Sequence, residues 1–259
     1  MYRFLLLFLR ITLIVIGVAF GLIATFLIHP ILNQEKWTKI FVMPWAKYMI
    51  WSLGIKVHHS VNNDIKYTLG NIIVSNHISW IDILLILSIT PVSFIAMIEL
   101  KRWPIVSNLV KSAGTIFIDR KNRRDVIEIN YKIKEKLDSR VSNIAFFPEG
   151  GIAQMTQMRE FKAPLFQSII ETQAPVILIG IDYLLPNGQL AYAANYYGKT
   201  TIIQCLINVL KTPRINAKIS CERLATNKSL SRDELAWLCQ NKIKSLKEGN
   251  YHGITTQNQ

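Results

Sequence analysis

The chain has 259 residues, half of them hydrophobic, with a mean hydropathy of +0.24, a net charge of +13 and a pI of about 9.7. That length suits one catalytic domain with an added element and is ample for a packed core. Three cysteines without Cys-x-x-Cys spacing and an isolated His58-His59 pair indicate neither a disulfide framework nor a metal site, and the basic balance favours anionic partners: nucleic acid, an anionic membrane surface or phosphorylated molecules.

From Phe4 to Ile28 the chain is apolar almost throughout, broken only by Arg10. Residues 11–28 carry no charge and would form about 27 Å of helix, close to a bilayer core of roughly 30 Å. The stretch exceeds the apolar region of a secretory signal, and no Ala-x-Ala-like site follows it. It reads as a retained anchor, spanning the bilayer or dipping into one leaflet; a buried core helix is the alternative. Arg3 and Arg10 lie at its start, and Lys36, Lys39, Lys47 and Lys56 follow it. The positive-inside rule then places the main body in the cytoplasm. Ile40 to Trp51 mixes Trp, Tyr and Lys with aliphatic residues and is too short to span. It reads either as an interfacial helix or as one packed on the domain, with Pro44 kinking it or marking its start. Residues 1–54 are therefore expected to be a membrane anchor and interfacial region, and 55–259 the catalytic domain. The C-terminal Thr255 to Gln259 reads as a frayed tail.

In the body, short apolar runs alternate with longer amphipathic ones. Strands are predicted at Ile72–Ser75, Ser93–Met97, Thr115–Ile118, Ile144–Phe147, Val176–Ile181 and Ala217–Cys221. Helices are predicted at Ile81–Ser88, Ile105–Ser112, Arg123–Ser139, Pro164–Thr172 and Arg232–Lys247. In the third of these, Val126, Ile129, Ile133 and Leu137 recur at helical spacing. The alternation predicts an α/β fold, a mixed sheet flanked by helices, with functional loops at the strand ends.

The first such loop follows Ile72-Ile73-Val74. It places His77 and Asp82 five residues apart in Ser75-Asn76-His77-Ile78-Ser79-Trp80-Ile81-Asp82. On one continuous helix the two would point about 140° apart. They meet only if His77 sits in the loop and Asp82 in the first turn of the next helix. An imidazole held by a carboxylate can take a proton from a hydroxyl near neutral pH, so the pair suggests activation of an alcohol. Ser79-x-x-Asp82 also fits a capping box, which would give Asp82 a purely structural task.

The next loops are chemically suggestive in weaker ways. Gly114 to Arg120 reads as a strand ending in a charged pair, and Arg120 could hold a phosphate by two-point contact or simply pair with Asp119. The segment 101–124 carries seven basic residues and one acid. Phe147-Pro148-Glu149-Gly150-Gly151 forms a tight turn that lets a ligand approach the backbone. Glu149 there could bond an acceptor hydroxyl, orient basic groups or face water. Lys162 adds a positive charge shortly after.

Together these segments resemble the glycerolipid acyltransferase family, which includes the 1-acylglycerol-3-phosphate acyltransferases. The His-x4-Asp block corresponds to Asn76, His77 and Asp82, and the second block to Gly114, Phe117, Ile118, Asp119 and Arg120. The third corresponds to Phe147, Pro148, Glu149 and Gly150, followed by Phe161-Lys162, and the fourth to Ala174 through Ile179. The resemblance implies that His77 is the general base on a lysolipid hydroxyl and that Asp82 orients it. Arg120, Glu149 and Gly150 would shape the acceptor site, with Lys162 beside them. The acyl donor would be a thioester of CoA or acyl-carrier protein, used as co-substrate, with no cofactor and no covalent acyl-enzyme. The implied partners are a lysophospholipid, most simply 1-acyl-sn-glycerol-3-phosphate, and the bilayer; no recognition motif supports nucleic acid. The expected location is a membrane, a bacterial inner membrane with the catalytic domain cytoplasmic.

The chain departs from the family where Glu-Gly-Thr-Arg-Ser often stands. Here the residues are Glu149-Gly150-Gly151-Ile152-Ala153, without the hydroxyl and the positive charge. An acceptor such as a lyso-ornithine lipid is the alternative this raises, and a non-catalytic lipid carrier on the same fold is a second one.

Overall fold

The structure, a computed structural model, describes residues 2–61, 68–119, 123–225 and 230–252. It opens with α1 (Tyr2–Leu27), the one described helix long and apolar enough to cross a membrane. Phe4, Phe8, Val15, Phe20, Ile23 and Phe26 are exposed on its outer side. Its inner side is fastened to the body. After α2 (Gln34–Trp37) and a π turn, α3 (Met43–Ser52) runs against it. The Trp45 Nε1–H donates to Gly17 O (2.8 Å) and the Tyr48 hydroxyl to Leu13 O (2.9 Å). A Cβ on Gly17 would stand 2.6 Å from the Tyr48 ring, so glycine is what lets this aromatic side chain reach the helix backbone. Pro44 is the second residue of α3 and directly follows the π turn Thr38–Val42 in an unbroken helical run, so its missing N–H leaves a gap in the bonding ladder where the π turn gives way to α3. The apolar patch 40–51 faces both ways: Ala46, Met49 and Ile50 are buried while Ile40 and Trp51 are exposed.

Strand β1 (Ile55–Val61) follows, then β2 (Ile72–Ser75), α4 (Ile81–Ile89) and β3 (Val92–Met97). Next come α5 (Pro104–Ser112), β4 (Ile116–Ile118), α6 (Arg123–Asp138) and β5 (Asn143–Phe146). The chain continues through α7 (Gln167–Thr172), β6 (Val176–Leu184), α8 (Ile202–Lys211), β7 (Ile215–Leu224) and α9 (Arg232–His252). The strands form one mixed sheet in the order β1-β7-β6-β2-β5-β3-β4. The five strands from β6 to β4 are mutually parallel, so their carboxyl ends lie along one edge. Strand β7 runs antiparallel to β6, and β1 runs parallel to β7.

Both sheet faces are covered, and the strand alternation divides the core accordingly. Ile73, Ile177, Ile179 and Ile181 pack with α3, α4 and α8 on one face. Ile72, Val74, Val176 and Leu178 pack with α6, α7 and α9 on the other. Ile129, Ile133 and Leu137 bury their predicted stripe in the second layer; the side chain of Val126 lies outside the described ones. Central strands buried on both faces read as continuous apolar runs, which is why β2 and β6 stand out in the sequence.

The structure corrects several expectations: the predicted strand Ala217–Cys221 runs Ile215–Leu224, and the predicted helix Pro164–Thr172 divides into a 3-10 turn, Ala163–Phe166, and α7. The predicted strand Val176–Ile181 extends to Leu184, because β7 pairs with it along Val176–Leu184. Strand β1 was not predicted; Lys56, His58 and His59 interrupt its apolar pattern, and its pairing comes from β7, far away in the chain. Helix α8 was not predicted either, although Thr201 and Gln204 form a capping box before an apolar stripe.

Candidate active site

The polypeptide leaves β2 at Ser75 and does not enter α4 until Ile81, so His77 lies in the intervening turn and Asp82 in the first turn of the helix. The side chain of Asn76 first ties this turn to the sheet. Its amide donates to Ile181 O (3.0 Å) and its oxygen accepts from Ile181 N (2.8 Å), which extends the β2–β6 ladder by one side chain. His77 then projects with its Nδ1 2.9 Å from Asp82 Oδ2. The same carboxylate oxygen accepts from the amides of Ile78 (2.8 Å) and Ser79 (2.9 Å). Asp82 therefore does both things the sequence allowed: it caps the turn amides and holds the imidazole.

The other oxygen, Oδ1, accepts from the Tyr183 hydroxyl at 2.6 Å. Asp82 and Tyr183 are both fully buried, while the His77 side chain keeps 14% exposure. With Nδ1–H donated to the carboxylate, Nε2 of a neutral His77 carries the lone pair. The Phe147 ring fixes the ring plane, stacked on the imidazole at 3.9 Å between centroids and 11° between planes. Burial first, then the Asp82 charge, push the Tyr183 phenol well above its ordinary value, so it remains a donor.

The turn after β5 encloses His77 from the other side. Glu149 is buried, and its two oxygens accept from the amides of His77 (2.7 Å) and Arg159 (2.8 Å). Burial raises its carboxyl pKa above the usual 4.5, and the two amide bonds oppose that rise. Gly150 turns with φ 73°, and the amide of Ala153 donates to His77 O (2.8 Å). Asn195 closes the circuit, donating to Ile78 O (2.9 Å) and Ala153 O (3.0 Å).

The structure thus brings His77, Asp82, Glu149 and Gly150 together. Glu149 meets the site through backbone amides. Lys162 donates its amide to Pro148 O (2.9 Å), and its side chain is exposed. Arg120 lies outside the described residues. Among the described residues no group of three or more His, Cys, Asp or Glu side chains could hold a metal. Tyr183 and Asn195 were not among the sequence candidates. Tyr183 is 101 positions from its partner, and no local pattern links the two.

A solvent-reachable imidazole held by a buried carboxylate, at the carboxyl edge of an α/β sheet, is an arrangement able to take up a proton. Comparison with known proteins narrows the reading. Residues 55–182 match the family model described as Acyltransferase. This segment, just under half of the chain, is similar to that family. It is similar to a 1-acyl-sn-glycerol-3-phosphate acyltransferase of Neisseria gonorrhoeae, 35% identical over 150 residues, 58% of each chain. It is also similar to a lyso-ornithine lipid O-acyltransferase of Pseudomonas aeruginosa, 30% identical over 174 residues, 66% of this chain and 65% of that one. The chain thus matches about three fifths of the length of these relatives. The crystal structure of the 1-acyl-sn-glycerophosphate (LPA) acyltransferase PlsC of Thermotoga maritima has the same fold. Its TM-score is 0.69 at 20% identity, over 96% of this chain and 97% of that one.

Proposed function

We propose that the protein is a lysophospholipid O-acyltransferase that makes a diacyl phospholipid, with 1-acyl-sn-glycerol-3-phosphate as acceptor. The observation that carries the reading is the His77–Asp82 contact at 2.9 Å, with the imidazole accessible and the carboxylate buried. Nε2 of His77 takes the proton of the acceptor hydroxyl as its oxygen attacks the thioester carbonyl. A C–O bond forms, the C–S bond breaks, and the proton passes from the imidazolium to the departing thiolate. Asp82 stabilises the imidazolium meanwhile. The donor is acyl-CoA or acyl-carrier protein, and no cofactor enters the step. Arg120 and Lys162 supply positive charge to the acceptor, and Glu149 with Gly150 shapes the turn it approaches.

Residues 1–54 hold the enzyme at a bacterial inner membrane, with the domain 55–259 on the cytoplasmic side. The exposed aromatic and aliphatic side of α1, continued by Ile40 and Trp51, supports this attachment.

Purified protein given lysophosphatidic acid and acyl-CoA should release free thiol, and His77→Ala should abolish the release. Equal rates in the two proteins would remove His77 from the chemistry. The Pseudomonas relative favours a second acceptor, a lyso-ornithine lipid. A panel of lysolipids with one acyl-CoA separates the two, and inactivity on every member would favour a non-catalytic lipid carrier.

A further inference from the structure

The turn that encloses His77 carries a charged side chain that the reaction above does not use. The amides of Arg159 and His77 bind opposite oxygens of Glu149, so their backbones lie one carboxylate apart. The Arg159 side chain folds back over Gly151, where a Cβ would stand 2.9 Å from Nη1. Gly151 itself lies between Glu149, which holds the amide of His77, and Ala153, which holds its carbonyl. The guanidinium therefore rests on the same short turn that surrounds the base.

This charge is available. Arg159 is exposed, and no carboxylate pairs with its guanidinium among the described residues. The acid built into the turn, Glu149, already has both oxygens on backbone amides. A planar guanidinium laid on a bare backbone keeps its donor fork free, and that fork matches a phosphate or carboxylate by two-point contact.

We infer that Arg159 binds the anionic group of the lysolipid acceptor, a phosphate or a carboxylate, and that Gly151 seats it by having no side chain. The inference rests on the acyltransferase reading and adds a headgroup contact to it. Because the obstructing atom at Gly151 is the far end of a flexible side chain, an alanine there displaces the guanidinium and leaves the turn intact.

The test measures acceptor and donor KM separately, by thiol release, for each anionic lysolipid that the wild-type protein turns over. Arg159→Ala should raise the acceptor KM by about tenfold or more, with kcat within about twofold and the acyl-CoA KM unchanged. Arg159→Lys keeps a charge without the fork and should recover part of the loss. Gly151→Ala should raise the acceptor KM on its own and have no further effect in the Arg159→Ala background. An unchanged acceptor KM in Arg159→Ala overturns the inference and leaves the acyltransferase reading standing. A rise confined to acyl-CoA also overturns it, by giving the guanidinium to the donor's phosphates. A wild-type protein that releases no thiol with any anionic lysolipid counts against both.

Discussion

Arg10 and Asp82 are both buried charges on mostly apolar helices, α1 and α4, yet the two regions use their charges differently. Arg10 donates to the carbonyls of Leu210 (3.1 Å), Thr212 (2.7 Å) and Pro213 (2.7 Å), at the carboxyl end of α8. Leu210 O lies in the last turn of α8, where carbonyls have no helical partner, and Thr212 and Pro213 follow directly, so the guanidinium fastens α1 to the body. Asp82 is held by two amides and a phenol, and it passes its orientation on to an imidazole at the solvent boundary. The charge itself does not distinguish a fastener from a side chain that orients an imidazole. The difference is that one partner of Asp82 is titratable and reachable.

The largest expected effect falls on the Asp82 side of this comparison. Asp82→Asn should lower kcat by about 10³- to 10⁴-fold in the thiol-release assay, because an amide cannot hold the imidazole in the required tautomer. A loss below about tenfold would reduce Asp82 to a capping residue. Arg10→Met should act on stability instead, costing about 3 kcal/mol in a urea titration by leaving carbonyls without their donor. Its kcat per folded molecule should stay near wild type, and a large kcat loss would break the distinction drawn here.

Glu149→Gln lies between these cases. The amide group can accept from only one of the two backbone N–H groups, so about 1–3 kcal/mol of stability should be lost. The pH dependence has a definite sign. Because the folded Glu149 carboxyl sits above its ordinary 4.5, it favours the folded state below that value and loses this contribution as pH rises through the folded value. The stability gap between wild type and Glu149→Gln should therefore narrow as pH rises above 4.5 in urea titrations. A gap that widens would mean that the amide bonds to Glu149 outweigh its burial.

The smallest effect is expected from Tyr183→Phe, which removes one of the donors that fix Asp82. We expect kcat to fall by about tenfold, the weight of one hydrogen bond to a charged group. The ratio to wild type should stay flat from about pH 7 to about pH 10, since the phenol is held protonated. A ratio that changes across that range would show the phenol titrating in step with the reaction.

Much of the fold was legible in the chain because its central strands are buried on both faces. Runs such as Ile72-Ile73-Val74 and Val176 to Ile181 have few other physical outcomes. Edge strand β1, mixed in polarity, offered no such signal. The His77–Asp82 contact was legible because the two residues are neighbours in sequence and only a strand–turn–helix junction lets them meet. Tyr183 was not, because its bond to Asp82 spans 101 positions and depends on the register of β6 against β2. The same limit applies after Gly150. The sequence shows no positive charge in the next positions, yet the fold returns the guanidinium of Arg159 to Gly151.

The double bond between Asn76 and Ile181 has a further consequence. A reactive group carried on a connecting segment ordinarily shares that segment's local opening motions. Here the segment is sewn to a central strand one residue before the imidazole, so His77 inherits the slow breathing of the sheet. The Ile181 amide should exchange its hydrogen at the pace of the slowest strands, and Asn76→Ala should release it long before the rest of β6 loosens.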